Sequence, residues 1–146
     1  MSRNKANYIK QKHLLTATFF WGLILVLAMA NGILREAFLL TYLSVNIAYF
    51  VSGCILAIGI LLVAYLSVPR YGDILPSGFW IIGGYWLILT VIFEFALGYF
   101  ITGATWSEML DQYRFKDGNI WPLILIVVVI SPVLASKIRG KTYREG

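Results

Sequence analysis

Two stretches put charge where the surrounding residues are apolar. "NGILREAFL" (residues 31–39) carries Arg35 and Glu36, and "FEFALG" (residues 93–98) carries Glu94. A charge kept among apolar residues points at a partner, at water or at lipid headgroups, so the chemistry open to these groups is ion pairing, proton relay or ligand capture. Asn31 stands four residues before Arg35 and Thr90 four before Glu94, so on helices each shares a face with its charged neighbour. Two readings of Glu94 compete. In the first, an ionised carboxylate is neutralised by Arg35, hydrogen-bonded by Asn31, and fixes the register of two helices; removing one partner then costs ~3–5 kcal/mol. In the second, a titrating carboxyl lies on a proton or substrate path, which needs water access. No second acid or histidine accompanies Glu94 on the opposite half, and the structural reading is the expectation.

Other chemistry is thinly represented. Paired histidines, HExxH, a GxSxG elbow and a phosphate-binding glycine loop are missing, and Gly83-Gly84 follows a helical apolar run rather than a strand. His13, the sole histidine, sits among Lys10 and Lys12 and is read as facing headgroups. Glu108, Asp111 and Asp117 match no calcium loop, and Cys54 stands alone, which excludes an intrachain disulfide or a CxxC pair. No catalytic residue, cofactor or metal ligand is expected.

The elements that must hold these groups follow from composition. Of 146 residues, 60% are hydrophobic and 13% charged, with a mean hydropathy of +0.78. This is the composition of a membrane protein. Crossing ~30 Å of hydrocarbon takes about 20 helical residues. Four runs qualify, at approximately 14–39, 45–68, 79–101 and 120–135, in one membrane domain. Pro69 stops the second, Asp73, Pro76 and Ser77 precede the third, and Asp117-Gly118-Asn119 precedes the fourth. Ala28-Met29-Ala30 imitates a signal-peptide cleavage site, but the apolar run continues beyond it, so the first segment is read as a span. The fourth is short and carries Pro132 near its exit, where a kink or frayed turn is expected.

The net charge is +5, and the basic residues cluster at the two ends: Arg3, Lys5, Lys10 and Lys12, then Lys137, Arg139, Lys141 and Arg144. Flanking apolar segments, they read as an orientation signal facing anionic lipid and not as a nucleic-acid surface. An even number of spans with both tails basic predicts both termini in the cytoplasm. The 103–117 loop is then extracytoplasmic, and Thr105 and Glu108 at capping-box spacing predict a short amphipathic helix lying on the membrane surface. Trp106, Tyr99 and Trp121 are assigned to the outer aromatic belt and Trp80 to the inner one.

Depth arithmetic relates the charged groups. At 1.5 Å per residue, Arg35 lies ~31 Å along the first span and Glu94 ~22 Å along the third. An arginine leaning back toward its helix N-terminus can largely close the ~9 Å difference, which predicts an Arg35–Glu94 bridge. Glu36, ~100° around the helix from Arg35, is expected to reach headgroups, a partner chain or the 40–46 backbone instead. Gly83, Thr90, Glu94 and Gly98 form one small, polar stripe, and Gly53 with Ala57, Thr18 with Gly22 and Ala28 with Gly32 offer similar packing faces.

"NGILREAFL", "FEFALG" and "WPLILIVVVISPVLASKIRG" (from residue 121) together resemble an uncharacterised family of small four-span prokaryotic membrane proteins. The resemblance implies that Asn31, Arg35, Glu36, Glu94, Trp121 and Pro122 are the positions of interest, and it brings no activity with it. The expectation is an all-α, integral membrane four-helix bundle in a prokaryotic cytoplasmic (inner) membrane, with the lipid bilayer and other membrane subunits or further copies of itself as partners, and no nucleic acid. Its role is expected to be that of a non-catalytic accessory subunit. The alternatives are a small transporter or channel using Arg35 and Glu94, and, less favoured for want of a nucleophile-base pair, a lipid-modifying enzyme.

Overall fold

The computed structural model describes residues 8–140, so the basic residues Arg3, Lys5, Lys141 and Arg144 lie outside the described residues. Four helices are long and apolar enough to cross a membrane: α1 (Gln11–Tyr42), α2 (Val45–Tyr71), α3 (Pro76–Thr102) and α5 (Trp121–Ile138). The short α4 (Trp106–Asp111) lies in the connection between α3 and α5. The chain is therefore an all-α, multi-pass membrane protein. Large apolar side chains such as Phe19, Leu62, Ile88 and Ile126 are exposed on the outside of the bundle, as a hydrocarbon environment permits.

Local sequence sets the helix ends. Pro76 and Pro122 occupy first-turn positions of α3 and α5, where the missing N–H is not needed. Pro69 does not stop α2 outright; it sits in a tight 3-10 turn, Val68–Tyr71, that closes it. Nor does Pro132 fray α5, which runs on to Ile138. Pro132 cannot donate to the carbonyl of Val128 one turn earlier, and the Ser131 hydroxyl donates to that oxygen instead, at 3.1 Å. A neighbouring hydroxyl thus satisfies the carbonyl that proline leaves free, as membrane helices require.

The helices form a ring in which α5 packs against α2 and α3, and α1 closes the circle against the same two. The α1–α3 seam is the thinnest of the four. The ring is dense at the end that carries the termini, where Ala17, Phe20, Ile60, Phe79, Ile82 and Val128 are buried in one core. Gly83 lies so close to the Val129 carbonyl that a β-carbon there would collide with it, so this glycine sets the α3–α5 approach. Three cross-helix hydrogen bonds knit the thin seam: Trp86 Nε1 donates to the Ala17 carbonyl (2.8 Å), Trp21 Nε1 to Thr90 Oγ1 (3.1 Å), and the Thr18 and Tyr85 hydroxyls pair at 2.8 Å.

His13 is a correction to the sequence reading. Instead of facing headgroups it is buried, and its Nδ1 accepts the Lys10 N–H at 2.9 Å, capping α1.

Trp86 is fully buried, and its indole ties the dense core to the α1 backbone. Replacing it by Phe should cost about 1–3 kcal/mol through the lost bond and the vacated volume. Thermal melting in detergent measures this; an unchanged midpoint would show that the α1–α3 seam does not depend on the bond.

Candidate functional site: an amphipathic cavity at the loop end

Toward the end that carries the 103–119 connection the packing opens. After Ile24, α1 buries only Asn31, and after Trp86, α3 buries nothing until Gly98. The space between the helices is a cavity of ≈ 470 Å³ walled by α1, α2, α3 and α5 and by Gln112, Asn119 and Ile120 of the connection. Its deep walls are apolar apart from Thr90, which is bonded to Trp21, and include Leu25, Ala28, Leu56, Ile60, Ile124 and Val128, whereas Asn31, Arg35, Tyr49, Ser52 and Glu94 line it nearer the loop end.

Both charged helices widen here. In α1 the residues Arg35–Leu39 form a π-turn, with the Leu40 N–H bonded to the Arg35 carbonyl, and in α3 the residues Leu97–Thr102 form another. Such wide turns often accompany functional sites. The predicted bridge is the first correction: Arg35 and Glu94 do not form a salt bridge, because each has other partners close by. Arg35 Nε lies 3.2 Å from Glu36 Oε1, and its guanidinium sits over the Tyr49 ring, 4.4 Å from the centroid. Glu36 is corrected with it. In a π-turn adjacent residues diverge less than the ~100° of an α-helix, and the half-exposed Glu36 pairs with its neighbour after all.

Glu94 finds its partners elsewhere. Its Oε2 accepts from the Tyr113 hydroxyl at 3.0 Å and from the Trp121 indole N–H at 3.1 Å. Trp121, assigned from sequence to the aromatic belt, is turned inward. Asn31 does not reach Glu94 either: its Nδ2 donates to Ser52 Oγ at 2.8 Å, and its Oδ1, buried, has no partner. Thr90 receives the Trp21 indole and itself donates to the Trp86 carbonyl at 2.8 Å. Asn31, Arg35, Thr90, Glu94 and Trp121 thus line one cavity, whereas Glu36 and Pro122 lie off it. Of the small-residue faces, Gly53 meets the Ile120 side chain and Gly98 meets Met109, while Gly22 and Gly32 face open space.

The connection is built to bring Tyr113 to Glu94. Thr105 and Glu108 make the reciprocal capping box that starts α4, and Met109 of α4 rests on Gly98. The Tyr113 ring stacks on Phe95 (centroids 5.9 Å apart, 14° between planes). Asn119 closes the turn: its Nδ2 donates to the carbonyls of Gln112 (2.8 Å) and Arg114 (3.0 Å), and its Oδ1 accepts the Trp121 N–H at 3.0 Å. Gly118, at φ 77°, passes against the Asn46 backbone, where a β-carbon would clash. Burial first, and then the Glu94 carboxylate, push the Tyr113 phenol far above the ordinary tyrosine range, so it stays a donor.

Sequence reasoning missed Tyr49, Ser52 and Tyr113. Tyr113 had a usable signal, since it falls at helical intervals with Trp106, Met109 and Leu110 in a loop close to an acid that needs a donor. Among the described residues no group of three or more His, Cys, Asp or Glu gathers as a metal site. No protein-family model matches this chain, and neither a curated protein nor a solved structure does.

Glu108 gives the loop a pH dependence. The backbone N–H and hydroxyl of Thr105 hold its carboxyl below the usual range. A depressed folded-state value means that the cap's contribution is complete above the unfolded carboxyl value of about 4.3 and is lost as pH falls through the lower folded one. Protection factors across 106–111, each referred to the intrinsic exchange rate at the same pH, should therefore be higher at neutral pH and fall as Glu108 becomes protonated; factors unchanged down to about pH 2 would contradict the cap.

Proposed function

We propose that this protein is a non-catalytic membrane protein that captures a small amphiphilic molecule in the cavity at its loop end and holds or moves it at the membrane boundary. One observation carries the reading: a cationic guanidinium and a carboxylate line the same cavity without neutralising each other. Charged groups in a membrane bundle that face a cavity mark substrate pathways, and here the only acid paired with Arg35 among the described residues is its half-exposed neighbour Glu36. The change from polar upper wall to apolar floor fits a ligand with a head and a tail. In the setting proposed here, a prokaryotic inner membrane with both termini cytoplasmic, the cavity opens toward the outer leaflet.

A second reading, an accessory subunit that packs beside another membrane protein or another copy of itself, is supported by a different feature. Gly22 and Gly84 present open backbone on the outside of the bundle, the kind of surface at which membrane helices approach each other. Gentle extraction that yields a monodisperse monomer without a companion would count against it.

Cavity filling tests the main reading. A side chain at Gly32 would project into free space within the cavity, whereas one at Gly22 would project into free space outside it. Mild purification of the native chain and of Gly22→Phe should retain an amphiphile at about one per chain, seen by native mass spectrometry, and Gly32→Phe should retain none while melting normally. Equal retention by all three, or by none, would refute the cavity as the capture site.

A further inference from the structure

Resting on the capture reading, we propose that the cavity recognises a single-chain amphiphile with a zwitterionic head of the phosphoethanolamine type, its anionic group on Arg35 and its ammonium on Glu94. Three unmatched groups specify this head. Arg35 uses Nε for Glu36 and its face for Tyr49, and its two terminal nitrogens make no hydrogen bond among the described residues. A planar pair of N–H donors suits the two oxygens of a phosphate or carboxylate. Glu94 takes both of its hydrogen bonds on Oε2, and Oε1 has no partner among the described residues, so it is open to a donor from the ligand. Asn31, only 8% exposed, carries an acceptor oxygen with no partner at all. Unpaired buried carbonyls are rare in folded proteins, and one that lines a cavity implies a donor from whatever fills it.

Charge balance narrows the class. A purely anionic head on Arg35 would sit close to two carboxylates, Glu36 and Glu94, and a purely cationic head on Glu94 would leave the two terminal guanidinium nitrogens without an acceptor. Like charges held together outside bulk water repel strongly. A head carrying both signs satisfies both walls, and further ammonium hydrogens or a glycerol hydroxyl can reach the Asn31 oxygen. The apolar floor then takes the start of a chain. A volume of ≈ 470 Å³ falls in the range of small-molecule sites, ~300–1,000 Å³, which favours one chain over two. The thin α1–α3 seam gives that chain a route to the surrounding hydrocarbon.

The test uses the full chain in detergent, with ligand-induced melting shifts and titrated affinities. The probes are a single-chain phosphoethanolamine lipid, its single-chain phosphoglycerol counterpart, a fatty amine of equal length, and free phosphoethanolamine. The zwitterionic lipid should bind at least tenfold more tightly than the anionic or cationic one. Glu94→Gln, which still accepts from Tyr113 and Trp121, should erase its advantage over the anionic lipid, and Arg35→Gln its advantage over the amine. Free phosphoethanolamine binding as tightly as the lipid would support the head chemistry and assign it to a soluble source. Anionic lipid binding equally well to the native chain and to Glu94→Gln would overturn the zwitterion and leave amphiphile capture standing. No binding by any probe to a chain that melts cooperatively would overturn both. The native-chain comparison decides the matter even where a variant fails to fold.

Discussion

The two hydrogen bonds that Glu94 accepts from Tyr113 and Trp121 govern the loop end of this bundle. A carboxylate within a membrane helix has to be satisfied, and the nearest cationic group in depth is Arg35. Because a phenol and an indole reach it first, the guanidinium is left to Glu36 and the Tyr49 ring, and the space between α1 and α3 stays open. Had the two charges closed on each other, the cavity would have become an ordinary helix contact. Tyr113 can reach Glu94 only because α4 is capped, seated on Gly98, and followed by a turn that Asn119 holds in place.

The two halves of the bundle divide the work. At the terminal end, Trp86, Phe79, Ile82 and their neighbours fill the interior, and Gly83 lets α3 and α5 approach to backbone contact. This half supplies the rigidity against which the other half can remain unfilled. At the loop end, two π-turns, an unpartnered Asn31 oxygen and an arginine and a glutamate that line one cavity without closing on each other are features that a purely structural bundle would shed. Their concentration around one volume is the reason to read it as a place where something binds.

Much of the architecture was legible in the sequence because its cause is local or compositional. Apolar run length gave four spans, proline and glycine marked their limits, and Thr105-x-x-Glu108 announced α4. The residues lining the site were also largely legible, since an arginine, a glutamate and an asparagine in hydrocarbon stand out. Their pairing was not. Depth arithmetic on ideal helices could bring Arg35 near Glu94, but it could not see that the guanidinium turns to the Tyr49 ring of α2 and to Glu36 instead. Nor could it see that the loop folds back over α3, a result of tertiary contacts among Phe95, Met109 and Tyr113 with no local signature. Pro132 shows the same limit: the break it suggests is cancelled by the Ser131 hydroxyl beside it.

A double-mutant cycle tests the central claim most directly, by melting of Arg35→Gln, Glu94→Gln and the two together. The account predicts that the two effects add to within about 0.5 kcal/mol, whereas Glu94→Gln and Tyr113→Phe couple. A coupling of about 2 kcal/mol or more between Arg35 and Glu94 would mean that they neutralise each other, and would contradict the open, charge-lined cavity on which the functional reading rests.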